Sequence, residues 1–205
     1  MPSRNVLKID IPNSYYHIYA RGASRQKIFP EPEDNYVFLE LFRRYLSSEE
    51  IRDSAGMPYA KLYDDIELLC YCLMSNHFHL LVYQINAGAM QRLMRGVMTA
   101  YSRYFNKKYR RSGSLFESRY KASRISSEEY LMHISRYIHL NPSKWQTHPY
   151  SSIHHYSGQQ ADDWLKSVRI LDLFLSRSAY IEFVSDYESV KKSLVFVKEE
   201  LAGGE

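Results

Sequence analysis

Aromatic and β-branched positions crowd into Ser14-Tyr15-Tyr16-His17-Ile18-Tyr19-Ala20-Arg21, which Gly22 and Ser24 end, and this pattern predicts a half-buried strand. Past Pro30-Glu31-Pro32 the spacing changes. Acidic Glu33 and Asp34 open a stretch in which Tyr36, Val37, Leu39, Leu41, Phe42, Tyr45 and Leu46 recur at helical intervals. Residues 54 to 58 read as a loop, and Ile66 to Met74 is apolar at nearly every position, as in a strand buried on much of both faces. Ser75-Asn76 interrupts this run and His77 to Tyr83 resumes it, which predicts an antiparallel hairpin at the centre of a sheet. From Ala89 to about Arg110, Met90, Leu93, Met94, Val97, Met98, Tyr101, Tyr104 and Phe105 mark one helical face. Arg92, Arg95, Arg103 and Lys107 fall elsewhere on it. A short strand over Ser118 to Arg124 follows the Gly113 turn, and Ser126 with Glu129 stands at capping-box spacing ahead of a helix from Glu128 to Leu140 that Asn141-Pro142 ends.

The order is β-α-β-β-α-β-α. It predicts an α+β fold, the ferredoxin-like split βαβ, with a four-stranded antiparallel sheet and helices on one face. That accounts for a first domain over residues 1–145. Residues 146–205 are expected to form a helical C-terminal extension, with weaker helical pieces around Trp164 to Phe174 and Ala179 to Tyr187 and a frayed polar tail from Lys198.

The 205-residue chain is 45% apolar and 24% charged, an ordinary globular composition. No run is long and apolar enough for a membrane helix and the start has no apolar signal core, so a soluble cytoplasmic protein is expected. Cys70 and Cys72, one residue apart and expected on opposite faces of their strand, should neither pair nor hold a metal. Two features depart from the ordinary. There are 19 tyrosines, and the net charge of +4 is unevenly placed.

His77 and His79 alternate along a strand, so both imidazoles leave one face while Phe78 enters the other. Two nitrogens side by side suit a metal such as Mn, Co, Ni or Zn, although a chance His-x-His is common. Tyr137 and Asn141 are one helical turn apart and share a face. They could present a phenol and an amide oxygen to the same metal, or simply be a packing tyrosine and a helix-ending residue. A phenolate can attack phosphorus and conserve the bond as a phosphotyrosine ester, and such chemistry uses a metal to polarise the phosphate.

Between Arg103 and Arg124 eight cations, Arg103, Lys107, Lys108, Arg110, Arg111, Arg119, Lys121 and Arg124, face one acidic residue, Glu117. Tyr104, Phe105, Tyr109, Phe116 and Tyr120 are interleaved with them. This mixture is expected where phosphates are neutralised and splayed bases stack, whereas an ordinary solvated face mixes signs. Nucleic acid is the expected partner.

Four motifs in order, Tyr16-His17 with Arg21-Gly22 and Arg25-Gln26-x-Ile28-Phe29, Met74-Ser75-Asn76-His77-Phe78-His79-Leu80-Leu81-Val82, Ser112-Gly113-x-Leu115-Phe116-Glu117-x-Arg119-Tyr120-Lys121, and Arg136-Tyr137-Ile138-His139-x-Asn141-Pro142, resemble those of the single-tyrosine HUH transposases. Among these the chain most resembles the REP-associated tyrosine transposases, over residues 14 to 187. The resemblance implies that His77 and His79 bind a divalent metal, with Asn141 as third ligand, and that Tyr137 attacks single-stranded DNA. Mg or Mn would serve in the reaction, and Ni, Co or Zn could occupy the same ligands. It implies a strand transferase that cleaves and rejoins single-stranded or hairpin DNA near a repeated palindrome through a 5′-phosphotyrosine, as a monomer or homodimer and with no small-molecule substrate. DNA contacts are expected from the basic block, Arg103, Lys107, Lys108, Arg110, Arg111, Phe116, Arg119, Tyr120, Lys121 and Arg124. Three other classes remain open at this level. A non-catalytic nucleic-acid-binding sheet would use the basic block alone, a metal-dependent phosphodiesterase would use water in place of Tyr137, and a ferredoxin-fold interaction protein would use none of these groups.

Overall fold

A computed structural model describes residues 10–53, 55–159 and 162–186. Its elements are β1 (Ser14–Arg21), α1 (Pro32–Leu46), β2 (Ile66–Met74), β3 (His77–Gln84), α2 (Ala89–Lys108), β4 (Lys121–Ile125), α3 (Glu128–His139), and the short α4 (Ile153–Tyr156), α5 (Val168–Leu171) and α6 (Arg177–Ser185). The strands lie in the order β2-β3-β1-β4 with every neighbouring pair antiparallel, the expected split βαβ sheet.

Alternation along the central strands divides the apolar residues between two cores. Phe78, Leu80 and Val82 of β3 join Tyr16 and Ile18 of β1 under α1 and α2, with Phe38, Phe42, Tyr101 and Phe105 closing the larger core. Glu31 caps α1, its backbone N–H donating to the Asp34 carboxylate at 2.9 Å. Gly96 of α2 sits directly under α1, where a Cβ would lie 2.5 Å from the Tyr45 hydroxyl. The expected placement of helices on one face holds for α1 and α2. α3 takes the other face, because Leu69, Cys70, Cys72 and Leu81 are apolar there too and need a cover, supplied by Leu131, Ile134 and Ile138 with Ile153, Tyr156, Ile170, Tyr180 and Val184.

Cys70 and Cys72 are both buried, free and on this second face, which corrects the expectation of opposite faces: residues two apart on a strand point the same way. A register shift between Leu68 and Cys70 brings Leu69 to the same side. β4 starts three residues later than its sequence pattern suggests. The preceding segment instead crosses the end of β1, Phe116 bridging Gly22 and Glu117 N–H donating to Arg21 O at 2.9 Å. The cap of α3 is Ser127 and not Ser126, its hydroxyl accepting from Tyr130 N–H at 3.2 Å.

The segment after α3 runs along the outer edge of β2, with Leu73 N–H donating to Tyr150 O at 2.9 Å and Lys166 N–H to Leu68 O at 2.8 Å. An edge strand is thereby covered. Fully buried His139 ties this segment to α3, its Nδ1 2.6 Å from the Tyr180 hydroxyl and its Nε2 2.8 Å from Ser152 Oγ. The polar tail expected after Lys198 lies outside the described residues. Among the described residues no helix is long and apolar enough to cross a membrane.

Candidate active site

The two-residue turn Ser75-Asn76 is pinned before it reaches the site: Ser75 O accepts from Ile28 N–H at 2.8 Å and Asn76 O from Gly22 N–H at 2.9 Å. This fixes where β3 begins. His77 and His79 then leave the sheet on the α3 side, their rings 5.2 Å apart and nearly perpendicular. Register places Arg21 opposite His77 and Tyr19 opposite His79. Asn141, just past the end of α3, brings Oδ1 to 3.1 Å from His77 Nε2, and Asn76 Oδ1 lies 2.7 Å from His77 Nδ1. The Tyr137 ring stands edge-on to His79 at 5.4 Å, and the Asn141 amide lies near enough to its hydroxyl to favour the phenolate. The four residues singled out from the sequence, His77, His79, Tyr137 and Asn141, therefore meet within one chain. Behind them His17 Nε2 lies 2.9 Å from His79 Nδ1, the two rings stacked at 5.1 Å.

Burial governs the protonation of this cluster. It lowers His77, with the Asn141 contact opposing and the Arg21 charge adding to the fall, and it holds His79 well below the usual imidazole range, helped by His17, His77 and Arg21. His17 is pushed down to about 3 by burial. The Tyr137 phenol is raised by burial and by Tyr19, against the Asn141 amide and the Arg21 charge. Neutral imidazoles are metal ligands. Because Asn76 Oδ1 can only accept, the proton of neutral His77 belongs on Nδ1, and Nε2 points its lone pair at a second acceptor, Asn141 Oδ1. Two lone-pair atoms held 3.1 Å apart match the roughly 3 Å between adjacent ligands of an octahedral ion bound at about 2.1 Å. Among the described residues no three His, Cys, Asp or Glu side chains are arranged to hold a metal ion together, so an ion held here would draw its third ligand from an amide or phenol.

Sequence comparison with family models matches residues 10–141 to the IS200-like transposases. The chain belongs to the IS200-like transposase family. A structure of the REP-associated tyrosine transposase bound to a REP hairpin is similar to it in fold, with a TM-score of 0.54 at 12% identity over 80% of this chain and 93% of that one. A presumed transposase from Deinococcus radiodurans R1 aligns at 16% identity over 67% of this chain and 95% of its own, with a TM-score of 0.39. Comparison with curated protein sequences finds no match.

In this IS200-like transposase chain the basic block divides. Arg103, Lys107, Arg110, Arg111, Arg119 and Arg124 are exposed. Lys108 turns inward instead, its ammonium 2.9 Å from Glu31, 2.7 Å from Glu33 and 2.9 Å from Asp34, so its charge is spent on joining α2 to α1. Phe116 and Tyr120 are 5% and 6% exposed and belong to the larger core, where neither offers a free face for a base. Tyr104 and Tyr109 donate their hydroxyls to Asp34. Aromatic spacing alone does not separate a stacking platform from a core. Lys121 connects the block to the site, its ammonium 5.8 Å over the Tyr19 ring, which in turn lies 5.9 Å from the His79 ring. Arg95, Arg103 and Arg119 border an open groove of about 810 Å³ between α2 and residues 114–120, floored by Met90, Met94 and Met98. His17, Tyr19, Arg21 and Asn76 complete the cluster around the histidines, and sequence reasoning gives them no role of their own. The signal is present: Tyr15, His17, Tyr19 and Arg21 alternate, and one strand pairing carries them to the histidine face.

Proposed function

We propose that the chain is a metal-dependent transposase of the tyrosine type, cleaving and rejoining single-stranded or hairpin DNA through Tyr137. The observation that carries this reading is the single contact chain Tyr137–Asn141–His77, with His79 edge-on to the same phenol. His77 Nε2, His79 Nε2 and Asn141 Oδ1 would hold a divalent ion, which when bound supplies positive charge to the non-bridging oxygens of a phosphate. Tyr137 Oη attacks that phosphorus. The P–O3′ bond breaks, the phenolic proton ends on the departing 3′ oxygen, and the 5′ side remains as a phosphotyrosine ester. A second 3′-OH reverses the step and regenerates the phenol, so the bond energy is conserved. Arg21, beside His77 and exposed, is placed to meet phosphate charge and to favour the phenolate. The Arg95, Arg103 and Arg119 groove would carry the phosphates of a hairpin stem, with Lys121 leading toward the site.

The test is a denaturing gel of labelled single-stranded hairpin DNA with Mn²⁺. Wild type should give a metal-dependent protein–DNA adduct. Tyr137→Phe, which removes one oxygen and little packing, should give none while still folding and binding DNA. Cleavage by wild type without an adduct would replace this reading with a water-using phosphodiesterase, and binding without cleavage would replace it with a non-catalytic DNA-binding protein.

A further inference from the structure

Both candidate ligand histidines are held by the same atom. His77 Nδ1 is engaged by Asn76 Oδ1 at 2.7 Å and His79 Nδ1 by His17 Nε2 at 2.9 Å. His77 Nε2 faces Asn141 Oδ1, and His79 Nε2 makes no hydrogen bond among the described residues. Asn76 belongs to the turn next to His77, but His17 comes from a different strand, is completely buried, and lies nearly parallel to His79 with 15° between the ring planes. We infer that His17 is a positioning residue of the metal site: its Nε2 accepts from His79 Nδ1–H and so fixes His79 in the tautomer whose Nε2 lone pair is free for a cation. This rests on the metal-site reading above.

The hydrogen-bond inventory makes the point sharp. A neutral imidazole has one donor and one acceptor nitrogen, so the stacked pair has two arrangements. If His17 donates, the His79 proton sits on Nε2 and blocks a metal. If His17 accepts, His79 Nε2 is free and the His17 proton moves to Nδ1, a buried atom with no hydrogen-bond partner. The nearest polar side chain by register is Ser123, directly across on β4 and on the same face of the sheet. His17 is thus the group through which β1 and β4 act on a ligand carried by β3, and outer-shell partners of this kind typically alter metal affinity by about 10–100-fold.

Calorimetric titration with Mn²⁺ of wild type, His17→Phe and His17→Gln tests this, with thermal unfolding of each protein alongside. Phe keeps the ring and its packing but has no acceptor. Gln places an amide oxygen near the position of Nε2. His17→Phe should weaken Mn²⁺ binding about 10–100-fold with little change in unfolding temperature, and His17→Gln should restore most of it. Wild-type affinity in His17→Phe, or equal loss in both variants, would overturn the inference while leaving the metal site standing. No Mn²⁺ binding by wild type would overturn the site itself and this inference with it. A measurement on the unaltered protein is independent of how the variants fold: with Zn²⁺ bound, nitrogen NMR should show His79 protonated at Nδ1, and a bare Nδ1 would overturn the assignment.

Discussion

β3 builds two unlike regions from neighbouring residues. On one side Phe78, Leu80 and Val82 enter a core of aromatic and aliphatic groups under α1 and α2, where Phe78 packs 5.0 Å from Phe38 and 6.1 Å from Phe116. On the other, His77 and His79 stand among His17, Tyr19, Tyr137 and Asn141, and the apolar residues begin only at Leu81. The first region holds the sheet together by excluding water from apolar surface. In the second, one buried polar atom, His17 Nδ1, has no hydrogen-bond partner, and such an atom is retained at a cost in stability. The comparison teaches that one strand can commit its residues to apolar packing on one face while its first two outward residues on the other present polar nitrogens.

The largest expected effect comes from exchanging the roles of adjacent residues. Phe78→Ala should destabilise the protein by about 3–5 kcal/mol, the usual range for a buried aromatic truncation, as read by chemical denaturation. His77→Ala with His79→Ala should instead abolish the Mn²⁺ heat while costing only about 1–3 kcal/mol for the hydrogen bonds removed. Equal destabilisation by the two changes would erase the distinction between the faces.

A smaller effect sharpens the first region. Asp34 is fully buried at its side chain and holds Lys108, Tyr104 and Tyr109. Burial alone would raise its carboxyl, but hydrogen bonds from Tyr109, Lys108, the Glu31 backbone and Tyr104 outweigh this and hold it below the usual carboxylate range. As pH falls, the unfolded chain therefore takes up this proton before the folded one. The stabilisation is complete above the ordinary value of about 3.9 and is lost as pH falls through the lower folded value. Asp34→Asn should flatten that part of the acid limb in a plot of unfolding free energy against pH, and an unchanged limb would show that the cluster carries no linkage.

The smallest effect separates surface charge from structural charge. Replacing Arg103, Lys107, Arg110 and Arg111 with Ala should lower the slope of log affinity against log salt for single-stranded DNA, by roughly 0.7 for each phosphate no longer neutralised. Lys108→Ala should leave that slope alone and lower stability instead. A reduced slope in Lys108→Ala would place its ammonium on DNA and not on α1.

Much of this is legible in the chain. Helical spacing marks out α1 and α2, the Ser75-Asn76 break marks the hairpin, and the one-turn separation of Tyr137 and Asn141 brings forward two side chains that the fold does gather beside His77 and His79. What stays hidden depends on contacts distant in sequence. Phe116 and Tyr120 look like stacking residues because a buried aromatic and an exposed one are the same letter, and only the crossing of residues 114–120 over the end of β1 decides between them. Lys108 looks free because the carboxylates that claim it lie about 75 residues earlier, at the start of α1. His17 stands beside Tyr16 in the first motif with no visible task, since a histidine on a first strand gains meaning only once β1 is paired with β3.

The link from His139 to Ser152 and Tyr180 has a consequence for the order in which the chain is made. Tyr137 and Asn141 leave the ribosome with α3, but Ser152 follows His139 by 13 residues and Tyr180 by 41. Until both have emerged, the inward imidazole of α3 lacks at least one partner, and burying it against the sheet would leave a polar nitrogen unsatisfied. Tyr137, on the same helix, therefore gains the full bracing of that helix only once residue 180 has been made.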